Sequence, residues 1–302
     1  MPMTLHYITY LKKVNKIRAF MPLKNERNDL FMKIGTLVYL TSDVDAVFAP
    51  VRDLGLDNCQ LGCWEHSLMT DEIAEKIKET TKKYGITITA FWCGWSGPSV
   101  WDFFTGPHTL GIVPSAYRFI RCKELQNGSD FAKKIGVKNV ITHLGFIPEV
   151  PTSTEYFEVL ATVKKLVQYM DGNGQNFLFE TGQETPVTLK RLIEDTGMKN
   201  VGINLDPANL IMYGKANPVD ALEVFGEYVM GVHAKDGKYP TNINELGHET
   251  RIGEGKVNFP AFIAKLKEVG YDGAVTIERE ISGEKQIKDI KASITYLNEL
   301  IG

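Results

Sequence analysis

From Met32 onward the chain alternates between two hydrophobic periods. Short runs rich in β-branched and aromatic residues recur at Lys33–Val38, Asn58–Gly62, Thr87–Trp92, Asn139–His143, Asn176–Glu180, Val201–Asp206, Val229–Ala234 and Gly273–Glu278. Between them lie stretches with apolar residues at helical spacing, such as Asp71–Tyr84, Ser129–Ile135, Glu155–Met170, Thr188–Asp195, Pro218–Phe225, Phe259–Val269 and Lys285–Leu300. The first pattern predicts strands and the second helices. Thr70, ahead of Asp71 and Glu72, reads as an N-cap, and Gly85, Gly136, Gly197 and Gly270 read as C-terminal stops. Near-continuous apolar runs suit parallel strands covered on both faces, so eight such units predict a single (β/α)8 TIM barrel. An open doubly wound sheet would carry a GxGxxG turn after an early strand. None occurs, and Gly253-Glu254-Gly255 comes late. The pattern breaks from Cys93 to about Tyr117, read here as a long non-helical insertion after the third strand, rich in Trp95, Trp101, Phe103 and Phe104. A loop of that length is expected to be a lid or an interface.

Composition narrows the function classes. The 302 residues carry 34 Lys+Arg against 37 Asp+Glu, a formal charge of −3, which argues against nucleic acid or another polyanion as partner. No apolar run reaches the roughly 18 to 20 residues of a membrane helix. Cys59, Cys63, Cys93 and Cys122 show no CxxC pairing and read as reduced thiols of a cytoplasmic protein. Residues 1–31 hold Lys12, Lys13, Lys16, Arg18, Lys24 and Arg27 but no apolar core of an export signal. They are set apart as a basic N-terminal extension, with Met32 as an alternative start, and residues 32–302 are expected to form the catalytic barrel.

In such a barrel the catalytic groups come from the carboxyl ends of different strands. The fifth predicted strand ends in Glu180, the sixth in Asp206, the seventh carries His233 and the eighth ends in Glu278. Three carboxylates and an imidazole at one centre repel one another unless a cation sits among them, which predicts a divalent metal site. The oxygen-dominated donor set points first to Mn²⁺, with Mg²⁺, Co²⁺ or Zn²⁺ as alternatives. His143, at the end of the fourth strand, is a candidate base or hydrogen-bond donor at the same mouth, and Lys235 is expected to face it. Gln183, Glu184 and Asp236 are candidate orienters of the ligands, and Glu65 and His66 are weaker candidates. Trp95 and Trp101 are candidates for stacking on a sugar or an aglycone; burying a subunit contact would use the same residues.

These stretches resemble the xylose isomerase-like barrel family of sugar isomerases and epimerases. The resemblance is carried by Phe179-Glu180-Thr181-Gly182-Gln183-Glu184, Asn204-Leu205-Asp206-Pro207-Ala208-Asn209-Leu210, Val232-His233-Ala234-Lys235-Asp236, Arg251-Ile252-Gly253-Glu254-Gly255-Lys256-Val257-Asn258-Phe259 and Val275-Thr276-Ile277-Glu278-Arg279-Glu280, with Met32-Lys33-Ile34-Gly35 as the opening. It implies one divalent metal held by Glu180, Asp206, His233 and Glu278, proton exchange by Glu180 and Glu278 on opposite sides of a sugar, and homo-oligomerisation. Two positions depart from the family's ketose 3-epimerases. Asn209 stands where they place a substrate-contacting His, and their Arg after the metal His has no counterpart before Arg251; Asn209 and Arg251 are the candidate substrate-binding residues at these places. The family's DNA-repair branch needs more histidines than the six present, one of which is His6.

The expected activity is a metal-dependent sugar isomerase or epimerase working next to a carbonyl through an enediolate. The alternative is a lyase that uses the same proton abstraction to cleave 3-keto-glycosides, for which some relatives employ a small partner subunit. A non-catalytic sugar-binding barrel is the third reading. No Lys/Arg/Gly nest follows the last strands, so an unphosphorylated sugar or glycoside is expected as the small-molecule partner.

Overall fold

The computed structural model describes residues 32–302, and the basic extension 1–31 lies outside the described residues. The strands are β1 (Lys33–Tyr39), β2 (Asn58–Cys63), β3 (Thr87–Cys93), β4 (Asn139–Thr142), β5 (Asn176–Glu180), β6 (Val201–Leu205), β7 (Val229–Ala234) and β8 (Ala274–Ile277). They close into a parallel barrel in chain order, with β8 returning to β1 through Thr36 opposite Ile277. The helices are α1 (Val44–Asp53), α2 (Asp71–Tyr84), α3 (Gly106–Thr109), α4 (Ser115–Lys134), α5 (Thr154–Gly172), α6 (Pro186–Thr196), α7 (Pro207–Met212), α8 (Pro218–Phe225), α9 (Phe259–Glu268) and α10 (Glu284–Ile301). No helix among the described residues is long and apolar enough to cross a membrane.

Alternation along each strand assigns the two faces. Phe91, Phe177, Phe179, Leu205, Val232 and Ile277 belong to the large core that the strands share with helix residues such as Phe48, Val163, Leu192 and Phe262. The intervening positions Ala90, Trp92, Ile141 and Leu178 form a separate apolar cluster with Trp95 and Leu110. That parity decides the chemistry. His143 lies two residues beyond Ile141, Glu180 two beyond Leu178, Asp206 two beyond Asn204, Lys235 two beyond His233, and Glu278 two beyond Thr276, so each inherits the inward direction.

The helix signals are met in detail. The Thr70 side chain accepts from the Ile73 amide, and Ser153, Thr185 and Asn217 cap α5, α6 and α8 in the same way, each such cap worth about 1 kcal/mol. Gly85 and Gly197 terminate α2 and α6 in the left-handed conformation. The segment after β3 differs from expectation. It contains the short α3, and α4 begins at Ser115, well before the helix start expected at Ser129. The reason is the buried face of α4, where Arg121, Gly128 and Ser129 interrupt the apolar positions Leu125, Phe131 and Ala132. Helix α1, absent from the helical stretches named above, carries Pro50 inside it and buries Val44, Val47, Phe48 and Val51 at helical spacing.

Asp236, expected as an orienter of ligands, has a different task. Its carboxylate accepts from the amides of Gly237 (2.9 Å), Gly253 (2.9 Å), Gly255 (3.0 Å) and Val257 (3.1 Å), so it folds the 251–257 loop back onto the end of β7. A Cβ at Gly255 would lie 2.0 Å from Asp236 Oδ1, which is why glycine stands there. Asp236→Ala would leave these amides without their acceptor. Urea unfolding should show a loss of about 3 kcal/mol, and limited proteolysis should begin within 251–257; unchanged stability would refute this role.

Candidate active site

At the carboxyl ends of β5 to β8 one atom each from Glu180, Asp206, His233 and Glu278 falls within 4.8 Å of all the others, and all four residues are buried. His233 Nδ1 is 3.0 Å from Glu180 Oε1, 3.0 Å from Glu278 Oε2 and 3.8 Å from Asp206 Oδ2. On the far side of the ring, Nε2 is 2.8 Å from Gln60 Oε1. Gln60 Nε2 in turn donates to Asn204 Oδ1 at 3.1 Å, which sets the carboxamide so that its oxygen accepts the Nε2 proton. Nδ1 is thereby left as the free lone pair aimed at the carboxylates. Asp206 is divided in the same manner: Oδ1 caps α7 by accepting from the Asn209 amide at 2.8 Å, while Oδ2 has no hydrogen-bond partner. The donor set is three oxygens and one imidazole nitrogen, and two of those atoms, His233 Nδ1 and Asp206 Oδ2, are buried and unpartnered. Such an arrangement fits one divalent metal ion.

Electrostatics show the same demand for positive charge. Burial alone would lower the His233 pKa, but Glu180 and Glu278 outweigh it and raise it well above its ordinary value. A proton thus competes with a cation for Nδ1. Burial pushes Asp206 up to about 7, against the pull of Lys235. Glu278 shows the opposite balance: burial would raise it, and Lys235 and His233 hold it well below the usual carboxylate range. Lys235 is itself buried, with Nζ 3.0 Å from Glu280, 3.4 Å from Glu278 and 3.7 Å from Asp206. It also reaches Asn209 Oδ1 at 3.5 Å.

The remaining expected residues divide into those at the centre and those beside it. His143 Nε2 is 3.7 Å from Glu180 Oε2, and burial lowers its pKa despite Glu180 and Glu278, so the ring is neutral near pH 7. Trp101 packs edge-on against His143, with ring centroids 5.1 Å apart, and is 40% exposed at the mouth. Trp95 lies behind it, buried against Trp64, Trp92 and Trp101. Arg251 forms a 2.6 Å ion pair with Glu254 and is 42% exposed. Glu65 caps the short turn at Ser67, and His66 Nε2 meets the Gly94 carbonyl at 3.0 Å. Two participants escape a reading of the sequence: Gln60, and Trp92, whose Nε1 donates to Glu180 Oε2. A signal for Gln60 does exist, since it is a carboxamide at an inward position of an otherwise closely packed strand.

Two arginines of α4 hold the insertion over this mouth, and one of them, Arg118, donates to the carbonyls of Ile112 (3.0 Å) and Val113 (2.6 Å). Arg121, fully buried on α4, donates to the carbonyls of Ser96 (3.2 Å), Pro98 (2.9 Å), Thr109 (2.6 Å) and Gly111 (2.7 Å). Its guanidinium also lies over the rings of Trp95 and Tyr117.

Glu184 is buried beside the centre, and burial pushes its carboxyl pKa up to about 8. It keeps its proton in the fold between pH 4.5 and 8 while the unfolded chain has already released it. Unfolding therefore releases a proton in that window, and stability falls as pH rises through it. Glu184→Gln should remove this slope, so that the stability of the variant relative to wild type increases from pH 5 to pH 8 in urea titrations. A pH-independent difference would refute the assignment.

Comparison with known proteins places this geometry in context. Residues 48–300 match the model of the xylose isomerase-like TIM barrel family. An uncharacterised protein of Methanocaldococcus jannaschii is 31% identical over 286 residues, covering 90% of each chain. The crystal structure of a xylose isomerase domain protein from Planctomyces limnophilus superposes with a TM-score of 0.85 at 33% identity, covering 89% of this chain and 97% of the other. The structure of a D-psicose 3-epimerase determined with D-fructose shares the fold, with a TM-score of 0.67 at 14% identity over 90% of this chain and all of that one. With a closed eight-stranded barrel, four clustered donors at its carboxyl end and a family match spanning most of its length, the chain belongs to the xylose isomerase-like TIM barrel family.

Proposed function

We propose that this protein is a divalent-metal-dependent sugar isomerase or epimerase that moves a proton on the carbon next to a carbonyl. The observation that carries the reading is the pair Glu180 and Glu278, which come from the two ends of the β5–β8 arc and approach the same nitrogen, His233 Nδ1, at 3.0 Å each. Two carboxylates flanking one centre supply what inversion requires: one removes the proton from one face and the other returns it on the opposite face. Glu180, Asp206, His233 and Glu278 would hold the cation, with Mn²⁺ favoured by the hard oxygen-rich set. When bound, the cation supplies Lewis-acid stabilisation of the oxyanion that proton loss creates.

The chain's own groups complete the site. Trp92 holds Glu180 in place through its indole N–H, and Gln60 fixes the His233 tautomer. Lys235 offsets the negative charge of Glu278 and Asp206 and, with Asn209, faces the sugar oxygens. Neutral His143 exchanges hydrogen bonds with a hydroxyl, and Trp101 covers the sugar face. The named relative acting on D-psicose is consistent with this class of substrate.

Adding Mn²⁺ should raise the melting temperature of the wild type, and Asp206→Ala should abolish that rise, as read by calorimetry with and without EDTA. In D₂O the Mn²⁺-loaded wild type should exchange the proton next to the carbonyl of a ketose or 3-keto-glycoside, with an epimer or isomer appearing by NMR. Glu278→Gln should slow this exchange by roughly 10²- to 10⁴-fold. Absence of exchange across the panel despite bound metal would defeat the reading.

A further inference from the structure

Beside the four donors lies a second group of buried polar atoms that the proton transfer leaves unused. His143 Nδ1, both polar atoms of the Gln183 carboxamide and the Tyr213 hydroxyl oxygen have no hydrogen-bond partner. Their residues are only 4%, 1% and 4% exposed. An unpaired buried polar group is destabilising, so four such atoms in one neighbourhood are a burden that a hydrogen-bonding ligand would relieve.

These residues converge on Gly182, in the turn after β5. A Cβ at that position would lie 3.5 Å from His143 Cε1, Asn209 Cβ and Tyr213 Cε2 alike. The turns after β4 and β5 and the two ends of α7 therefore meet around a residue without a side chain, where one methyl-sized group would sit in ordinary van der Waals contact with all three neighbours. The insertion roofs this space: Trp101 packs on His143 and Phe103 on Tyr213, with centroids 5.1 Å and 6.2 Å apart. Nearby cations are already committed. Lys235 is held by Asp206, Glu278 and Glu280, and Arg121 by four carbonyls of the insertion.

We propose that Gln183, Tyr213 and His143 form a subsite for the hydroxyls of an uncharged sugar end, and that it selects against a phosphorylated one. This rests on the reading of the centre as a sugar site. A carboxamide offers both donor and acceptor, a phenol offers both as well, and an imidazole nitrogen supplies one or the other, a set matched to hydroxyl groups. A phosphate would enter a buried space with carboxylates beside it, where the nearby cations among the described residues, Lys235, Arg121 and Lys215, are already paired with acids or carbonyls, at a large desolvation cost.

All four tryptophans of the chain, Trp64, Trp92, Trp95 and Trp101, form one cluster against this site, so intrinsic fluorescence reads its occupancy directly. Mn²⁺-loaded protein would be titrated with D-fructose, D-tagatose and methyl 3-keto-D-glucoside, each as the free sugar, the 6-deoxy analogue and the 6-phosphate. At least one free sugar should bind, its 6-phosphate and 6-deoxy forms at least tenfold more weakly. Tyr213→Phe, which keeps the ring packing on Phe103, and Gln183→Leu should each weaken the free sugar about tenfold, the worth of one hydrogen bond, while leaving the 6-deoxy analogue unchanged. The subsite is overturned if the phosphate binds as well as the free sugar, if both variants bind like wild type, or if no sugar binds. Proton exchange followed in the same samples separates the two readings. The expected binding pattern without exchange defeats the catalytic reading alone, and exchange with unaltered affinities in the variants defeats the subsite alone.

Discussion

The architecture depends on a concentration of negative charge in a place where water cannot screen it. Glu180, Asp206 and Glu278 are brought together at the carboxyl end of the barrel, and each buried carboxylate there has to be compensated. The surroundings supply that compensation in graded form. Lys235 contributes a full charge, the Trp92 indole and the Asn209 amide contribute directed dipoles, and His233 offers a lone pair that accepts either a proton or a metal ion. The barrel wall keeps these groups from relaxing apart, because each is fixed by the parity of a strand whose other face is locked into the core.

Around this centre the walls are unequal. The β2–β4 side is lined by tryptophan and other apolar residues, whereas the turns after β5 and β6 present amide, hydroxyl and carboxyl groups. A sugar has faces of both kinds, with C–H bonds on one and hydroxyls at the edges. Asp206 and Gln60 show how sparingly the supporting contacts are arranged: one carboxylate both caps a helix and points an oxygen inward, and one carboxamide both joins Asn204 and sets the orientation of the imidazole.

The barrel and its four donors are legible in the sequence because both follow from local pattern. Apolar runs mark the strands, and a polar residue directly after such a run marks the mouth. What the sequence conceals is contact across the barrel. Gln60 and His233 are 173 positions apart, and Trp92 and Glu180 are 88 apart, so nothing in either local stretch announces the pairing. The start of α4 is concealed for another reason: its buried face carries Arg121, Gly128 and Ser129, and a hydrophobic period cannot register a helix that buries an arginine and small residues. Asp236 illustrates a third kind of concealment. Its place in the motif next to Lys235 suggests chemistry, while its four amide partners show that it shapes a loop.

The hydrogen bonds from Arg121 and Arg118 to the insertion go only to main-chain oxygens, which every amino acid possesses. The path of the roof is therefore independent of which side chains it displays at Trp101 or Phe103. Evolution or an engineer can rewrite that display without rebuilding its suspension, so ligand preference and the folding of the barrel become separately adjustable properties, joined through two guanidinium groups.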